Sequence, residues 1–199
     1  TNSYSREYNG IQLTGASDVD YWLHETSEYQ LVEGHKLVLD ENEEIATITN
    51  VGAISNKFKV RVVDQDGNDV TDNYDVDYVY GTLEVTPRTI VVEINPATME
   101  YNGSPYVYTN GTGNYTLFTD SQDIVSGEEL EVIVSYKDSE GNILDNPINV
   151  GEYEIYSTNW NMNVGSNDNY SITVLSNTLT ITKRVIEVDL LQDKFTKEY

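Results

Sequence analysis

The 199-residue sequence contains no cysteine, which excludes disulfides and thiolate metal sites and leaves packing to hold the fold together. Basic residues are scarce: 11 Lys and Arg stand against 34 Asp and Glu, a formal net charge of −23. A surface of that sign releases no counterions from nucleic acid or anionic lipid, so neither is expected as a partner, while cations and cationic partners stay open. Histidine occurs twice, and the pair is not clustered. His24-Glu25-Thr26-Ser27-Glu28 begins like a zinc-protease helix, but Glu28 stands where the second histidine is required. No apolar run approaches the roughly 20 residues of a spanning helix. Signal and lipidation motifs are likewise missing, so any export or anchoring signals are expected outside this stretch. No Gly-rich phosphate loop, nucleophile elbow or paired catalytic arrangement stands out. The expectation is a non-catalytic protein without a cofactor.

What is plentiful is tyrosine, 16 residues, together with Val, Ile and Leu in alternation. Such content offsets the ordering entropy that high charge would otherwise leave unmatched, so the chain reads as folded. Phe58, Val60 and Val62 alternate with Lys57, Lys59 and Arg61, and Tyr74, Val76 and Tyr78 with Asp75 and Asp77. Leu83 and Val85 follow, then Leu130, Val132, Val134 and Tyr136, Tyr153 and Ile155, Tyr170, Ile172 and Val174, and Leu179 and Ile181. A period of two predicts strands with one wet and one buried face, hence an all-β protein. Asp66-Gly67 and Glu140-Gly141 supply the positive φ of tight hairpin turns. The Gly10 to Gly34 window is read as irregular, although Val19, Trp22 and Leu23 would fit a helical turn.

The second half restates the first. Tyr8-Asn9-Gly10 returns as Tyr101-Asn102-Gly103, Gly34 as Gly127, and the run from Asn73-Tyr74 to Arg88 as Asn169-Tyr170 to Arg184. Offsets of 93 to 96 residues are the size of a small domain. The expected organisation is a first repeat over 1–87, a second over 88–183, and the leading strand of a third over 184–199, which Glu198-Tyr199 would open. Thr89 to Ile94 and Val185 to Leu190 are taken as leading strands of the repeat that follows each, so the first repeat is expected to lack one; the alternative is that each packs on the repeat before it, which leaves both repeats complete and gives no association. Pro87-Arg88 joins the repeats without a Gly/Ser-rich tether, which predicts a restricted relative orientation and an elongated monomer, with strand exchange between copies as a possible association.

Tyr8-Asn9-Gly10, Asn50-Val51-Gly52, Asn149-Val150-Gly151, Asp66-Gly67-Asn68-Asp69-Val70-Thr71 and Tyr80-Gly81-Thr82-Leu83-Glu84-Val85-Thr86-Pro87 resemble the MBG-type repeats found in tandem in large bacterial cell-surface and adhesin-like proteins. The second repeat departs from the pattern with Ser176-Asn177 for Tyr80-Gly81 and Lys183 for Pro87. The resemblance implies extracellular, cell-surface spacer or stalk repeats of an exported bacterial protein, whose partners are the neighbouring repeats. It offers no catalytic residues. Its architectural implication is tandem Ig-like β-sandwiches, with β-grasp-like repeats as the alternative. The functional alternative is an adhesion module that binds host glycan or protein directly, through the Gly103 to Gly127 window or the Trp22 region.

Four further features carry candidate chemistry. Asp64, Asp66, Asn68 and Asp69 gather oxygen ligands around Gly67 like part of a calcium loop, but Asp75 stands where a bidentate glutamate is needed; a plain hairpin is preferred and calcium is the alternative. Lys57, Lys59 and Arg61 form a basic stripe, read as cross-strand pairing with Asp75, Asp77 or Glu84 before docking of an acidic partner. Tyrosines with Trp22 and Trp160 suit sugar stacking, although half-buried strand positions account for them too. Asn102, Asn110, Asn114 and Asn169 open Asn-x-Ser/Thr triplets that a bacterial protein leaves unglycosylated by default.

Overall fold

The computed structural model describes residues 1–15, 30–40, 42, 44–108, 114–119 and 121–189. Fifteen strands account for most of its regular structure. They are β1 (Tyr4–Glu7), β2 (Leu13–Thr14), β3 (Lys36–Leu39), β4 (Thr47–Ile48), β5 (Gly52–Asn56), β6 (Val60–Val63), β7 (Gly81–Thr86) and β8 (Arg88–Ile94). There follow β9 (Ala97–Glu100), β10 (Tyr115–Leu117), β11 (Glu129–Lys137), β12 (Ile143–Leu144), β13 (Gly151–Val164), β14 (Tyr170–Leu175) and β15 (Asn177–Thr182). Helix among the described residues is limited to 3-10 turns at Thr71–Asn73 and Asn167–Asn169. The chain is therefore all-β, as the alternation predicts. No described helix is long and apolar enough to cross a membrane.

Backbone contacts divide the chain into two compact units. The first comprises Thr1–Ile90, Thr119–Glu129 and Met162–Thr173; the second comprises Val91–Phe118, Leu130–Asn161 and Val174–Tyr199. In the first, β1 runs parallel to β7 and β7 antiparallel to β5, in the order β1–β7–β5. Leu83 and Val85 of β7 point inward and are buried, while Thr82 and Glu84 face outward. β3 and β6 pair antiparallel from Lys36↔Val63 to Leu39↔Val60. Phe58, Val60 and Val62 are buried, while Lys57 and Lys59 are exposed and Arg61 is half-buried, so the period-two pattern reports burial here. Each such side chain contributes about 1.5–3 kcal/mol by leaving water.

The β1–β7 contact is close enough to select glycine. A Cβ on Gly81 would lie 2.1 Å from the Asn2 carbonyl oxygen, and the Gly81 N–H donates to Thr1 Oγ1 at 2.6 Å.

In the second unit five strands take the order β12–β11–β13–β15–β9. β9 runs parallel to β15 and β15 antiparallel to β13. These are the order and senses of β1–β7–β5, and the registers correspond: Tyr4↔Leu83 matches Ala97↔Leu179, and Gly52↔Val85 matches Gly151↔Ile181. Leu130, Val132, Tyr136, Ile155, Leu179 and Ile181 are buried. A tyrosine cluster supports them, with Tyr106 edge-on to Tyr136 at 6.2 Å and the Tyr108 N–H donating to the Tyr136 hydroxyl at 3.0 Å. Burial pushes the Tyr106, Tyr108 and Tyr136 hydroxyls above the usual phenol range.

A separate three-stranded sheet has the order β10–β8–β14, with β10 antiparallel to β8 from Tyr115↔Ile94 to Leu117↔Val92. Ile90, Val92 and Ile94 of β8 are fully buried. Two expected strands are not formed: residues 185–189, the described part of the Val185 to Leu190 leading strand, carry no ladder pairing, and neither does the stretch from Tyr74. Tyr74 to Val79, the counterpart of β14, has no ladder pairing although Tyr74, Val76 and Tyr78 keep the alternation. β14 has β8 beside it. Among the described residues no strand lies beside 74–80, and alternation alone supplies no hydrogen-bond partner.

Candidate functional site

The most developed polar constellation converges within the first compact unit on Glu128, just ahead of β11. The Tyr8 hydroxyl donates to Glu128 Oε1 at 2.7 Å, and the Tyr170 hydroxyl donates to Oε2 of the same carboxylate. The two rings meet edge to face, 5.6 Å between centroids at 79°. Both tyrosines are buried, and each hydroxyl is raised above its ordinary pKa of 10.0, first by burial and then by its bond to Glu128. A carboxylate that accepts one hydroxyl on each oxygen ties both tyrosines down with charge-assisted bonds.

Further bonds surround this lock. The Val125 N–H donates to the Tyr170 hydroxyl at 3.1 Å. Asn169, 1% exposed, donates from Nδ2 to Asn50 Oδ1 at 3.1 Å and accepts from the Val51 N–H at 2.9 Å. Arg88 donates from Nε to the Asp123 carbonyl at 2.7 Å and from Nη1 to the Tyr8 carbonyl at 3.3 Å. Gly10, at φ 76°, leaves so little room that a Cβ would meet Val125 Cγ1 at 2.8 Å. The φ alone favours glycine, and the Val125 contact independently excludes a side chain.

The counterparts 93 to 99 residues away share most of these residue types and little of this packing. The Val32 N–H donates to the Tyr74 hydroxyl at 3.1 Å as Val125 does to Tyr170, and His35, in the place of Glu128, meets the same hydroxyl through Nδ1 at 2.8 Å. Yet Val32 is 59% exposed, Tyr101 38% and Val150 44%, and a Cβ on Gly103 would meet nothing within 4 Å.

The acidic turn is built from its own side chains. Asp64 Oδ1 accepts from the Asp66 N–H at 2.9 Å and the Asn68 N–H at 2.8 Å, while Asn68 Nδ2 donates to Oδ2 at 3.0 Å. Asp138 repeats this with Glu140 and Asn142, and Gly67 and Gly141 have φ of 86° and 85°. Both sites are hairpin turns, the second joining β11 to β12. The Asn68 and Asn142 side chains, with neighbouring N–H groups, hold the Asp64 and Asp138 carboxyls below the ordinary 3.8. Asp69 is lowered chiefly by Thr71, and Arg61 adds to it. Asp66 points its N–H, not a bonded carboxylate, into this network. No group of three or more His, Cys, Asp or Glu side chains suited to a metal occurs among the described residues.

Within the basic stripe, Arg61 finds partners other than those expected. Arg61 lies 3.8 Å from Asp40 and 3.7 Å from Asp69, not beside Asp75, Asp77 or Glu84. The reason is topological: β6 pairs with β3, which ends beside Asp40, and the hairpin after β6 brings Asp69 back opposite Val63. Glu84 instead accepts from Ser5 Oγ at 3.0 Å. Lys57 Nζ lies 5.8 Å from the centre of the Tyr80 ring. Lys59, Arg61, Asp40, Asp69, Asp72 and Tyr78 line an open cavity of about 360 Å³ whose charges are mixed.

Trp22, Val19, Leu23, His24 to Glu28, Asn110 to Gly113 and Glu198-Tyr199 lie outside the described residues. Asn169, opening one Asn-x-Ser triplet, is buried. Sequence reasoning did not single out Glu128 or Val125. The signal was Glu128 following Gly127 in register with the repeated Tyr-Asn-Gly and Asn-Tyr landmarks. No protein-family model matches the chain, and neither does any curated protein or solved structure.

Proposed function

We propose that the chain is a non-catalytic spacer, two tandem repeats of one β-sandwich domain of the MBG type, in the stalk of an exported bacterial surface protein. The observation that carries this reading is the lock on Glu128. Tyr8, Asn50, Val51 and Arg88 come from the first repeat or its joint, Asp123, Val125, Glu128, Asn169 and Tyr170 from the second, and all fall within one compact unit. The matching strand order and register of β1–β7–β5 and β9–β15–β13 support a repeated domain. A spacer needs a joint that transmits orientation, and a half-buried carboxylate gripping two buried tyrosines, one from each side, supplies one.

Small-angle scattering tests the reading. A stalk predicts one well-defined maximum dimension in the parent and a broader distance distribution in Glu128→Ala. A parent curve that already requires an ensemble of orientations, together with saturable binding of the parent to host glycans or matrix proteins, would favour the adhesion alternative.

A further inference from the structure

The residues that form the lock occur twice, and the second set is less buried than the first: Tyr101, Val150 and Val32 are exposed, and Tyr74 is half-buried where Tyr170 is buried. On the side that grips, Tyr8, Gly10, Asn50, Val51 and Arg88 have identical counterparts in Tyr101, Gly103, Asn149, Val150 and Arg184. On the side that receives, Val125, Asn169 and Tyr170 have identical counterparts in Val32, Asn73 and Tyr74, and His35 replaces Glu128. Burial follows occupancy: Tyr8 is 4% exposed and Tyr101 38%, and Val32 is exposed where Val125 is half-buried.

The backbone tells the same story. β8, which leaves the gripping side through Arg88, lies beside β14, which leaves the receiving side through Tyr170. Its inward residues Ile90 and Val92 are fully buried. Their counterparts Ile186 and Val188 are 77% and 67% exposed, and the counterpart of β14, residues 74–79, has no strand beside it among the described residues. Among the described residues, one stretch of chain thus carries exposed apolar side chains outside any sheet, and another alternates without a strand beside it.

We propose that a second copy of this chain docks head to tail through these two faces. Residues 184–189 of one copy add as a strand alongside residues 74–79 of the next, as β8 does with β14. Tyr101 closes on Tyr74 and His35, Val150 backs onto Asn73, and Gly103 seats against Val32. His35 suits the role because an imidazole, like a carboxylate, has two atoms to offer: Nδ1 meets Tyr74, and Nε2 is the second position, available to the Tyr101 hydroxyl. The contact is heterologous and open-ended, so it builds chains instead of closed dimers. With a formal charge of −23 on each copy, association strengthens as salt screens their repulsion. The inference rests on the repeat reading above.

Sedimentation velocity on the 199-residue chain at raised ionic strength, with two complementary variants, tests it. Ile186→Asp with Val188→Asp disables the gripping strand, and Val32→Glu with Val79→Glu disables the receiving face; all four sites are exposed, so both variants should melt as the parent does. The parent should grow with concentration beyond a dimer, each variant alone should stay monomeric, and their mixture should stop at a one-to-one complex. Tyr101→Ala should weaken association at least about tenfold. A parent that stays monomeric throughout, variants that still self-associate, or a mixture that yields no complex would overturn the proposal. Tyr8→Phe separates the two readings: if it lowers the melting temperature while no association occurs, the lock stands and only the docking between copies fails.

Discussion

Tyr8→Phe removes one hydroxyl and nothing else from the lock. The ring remains, and with it the edge contact to Tyr170 at 5.6 Å. What is lost is the 2.7 Å bond to Glu128 Oε1. Hydrogen bonds to charged groups contribute about 1.5–3 kcal/mol, and because Glu128 is only half-buried and keeps Tyr170, the cost is placed at the lower end, about 1.5 kcal/mol. For a chain of this length that is a fall in melting temperature of roughly 3–6 °C. Calorimetry together with urea unfolding reads it, and a double-mutant cycle with Glu128→Gln should give a coupling above about 0.5 kcal/mol. Tyr101→Phe is the internal control: the same residue in the same motif but exposed, expected within about 0.5 kcal/mol of the parent. A Tyr8→Phe variant that melts with the parent, or a control that falls as far, would refute the reasoning.

Gly10→Ala and Gly103→Ala both force an L residue to positive φ, a cost of about 1–2 kcal/mol. Only Gly10→Ala also drives a methyl into Val125, so its destabilisation in urea should exceed the other by about 1–3 kcal/mol. The Tyr8 and Tyr170 pKa values are raised in the folded state, so their contribution is complete below the ordinary value of 10.0 and is lost as pH rises through the folded values. Absorbance at the tyrosinate band should therefore show a late-titrating class that vanishes in urea, with stability falling over the same alkaline range. Asp64, Asp69 and Asp138 are lowered, so their contribution is present above 3.8 and is lost as pH falls through the folded values; Asp64→Asn should flatten that acid limb. Because Asp64 already serves its own turn, calcium over EDTA should move the melting temperature by less than about 1 °C; a larger shift abolished by Asp66→Ala would establish a calcium site.

Strands were legible wherever a residue's burial followed from its own position along the chain. Leu83 and Val85, or Leu179 and Ile181, announce an inward face by alternation, and the structure buries them. Gly67 and Gly141 announced turns because a left-handed φ between strands is a local requirement. Pairing was less legible because it depends on a neighbour: Tyr74 to Tyr78 alternates as well as Tyr170 to Val174, but among the described residues only the latter has a strand beside it. Arg61 was assigned the wrong carboxylates for the same reason, since β3 and the hairpin decide which acids come near. Glu128 was hidden among 34 acidic residues, and its role arises only when two tyrosines distant in sequence meet it.

The absence of cysteine allows a direct test of the lock, because two spin labels can be placed without competing thiols. Thr82 on β7 and Ser171 on β14 are exposed and lie on either side of the lock within the first compact unit. Pulsed electron resonance on Thr82→Cys with Ser171→Cys should give one narrow distance distribution, which broadens when Glu128→Ala is added. A distribution as broad in the parent as in the Glu128→Ala background would contradict the claim that Glu128 fixes one repeat against the next.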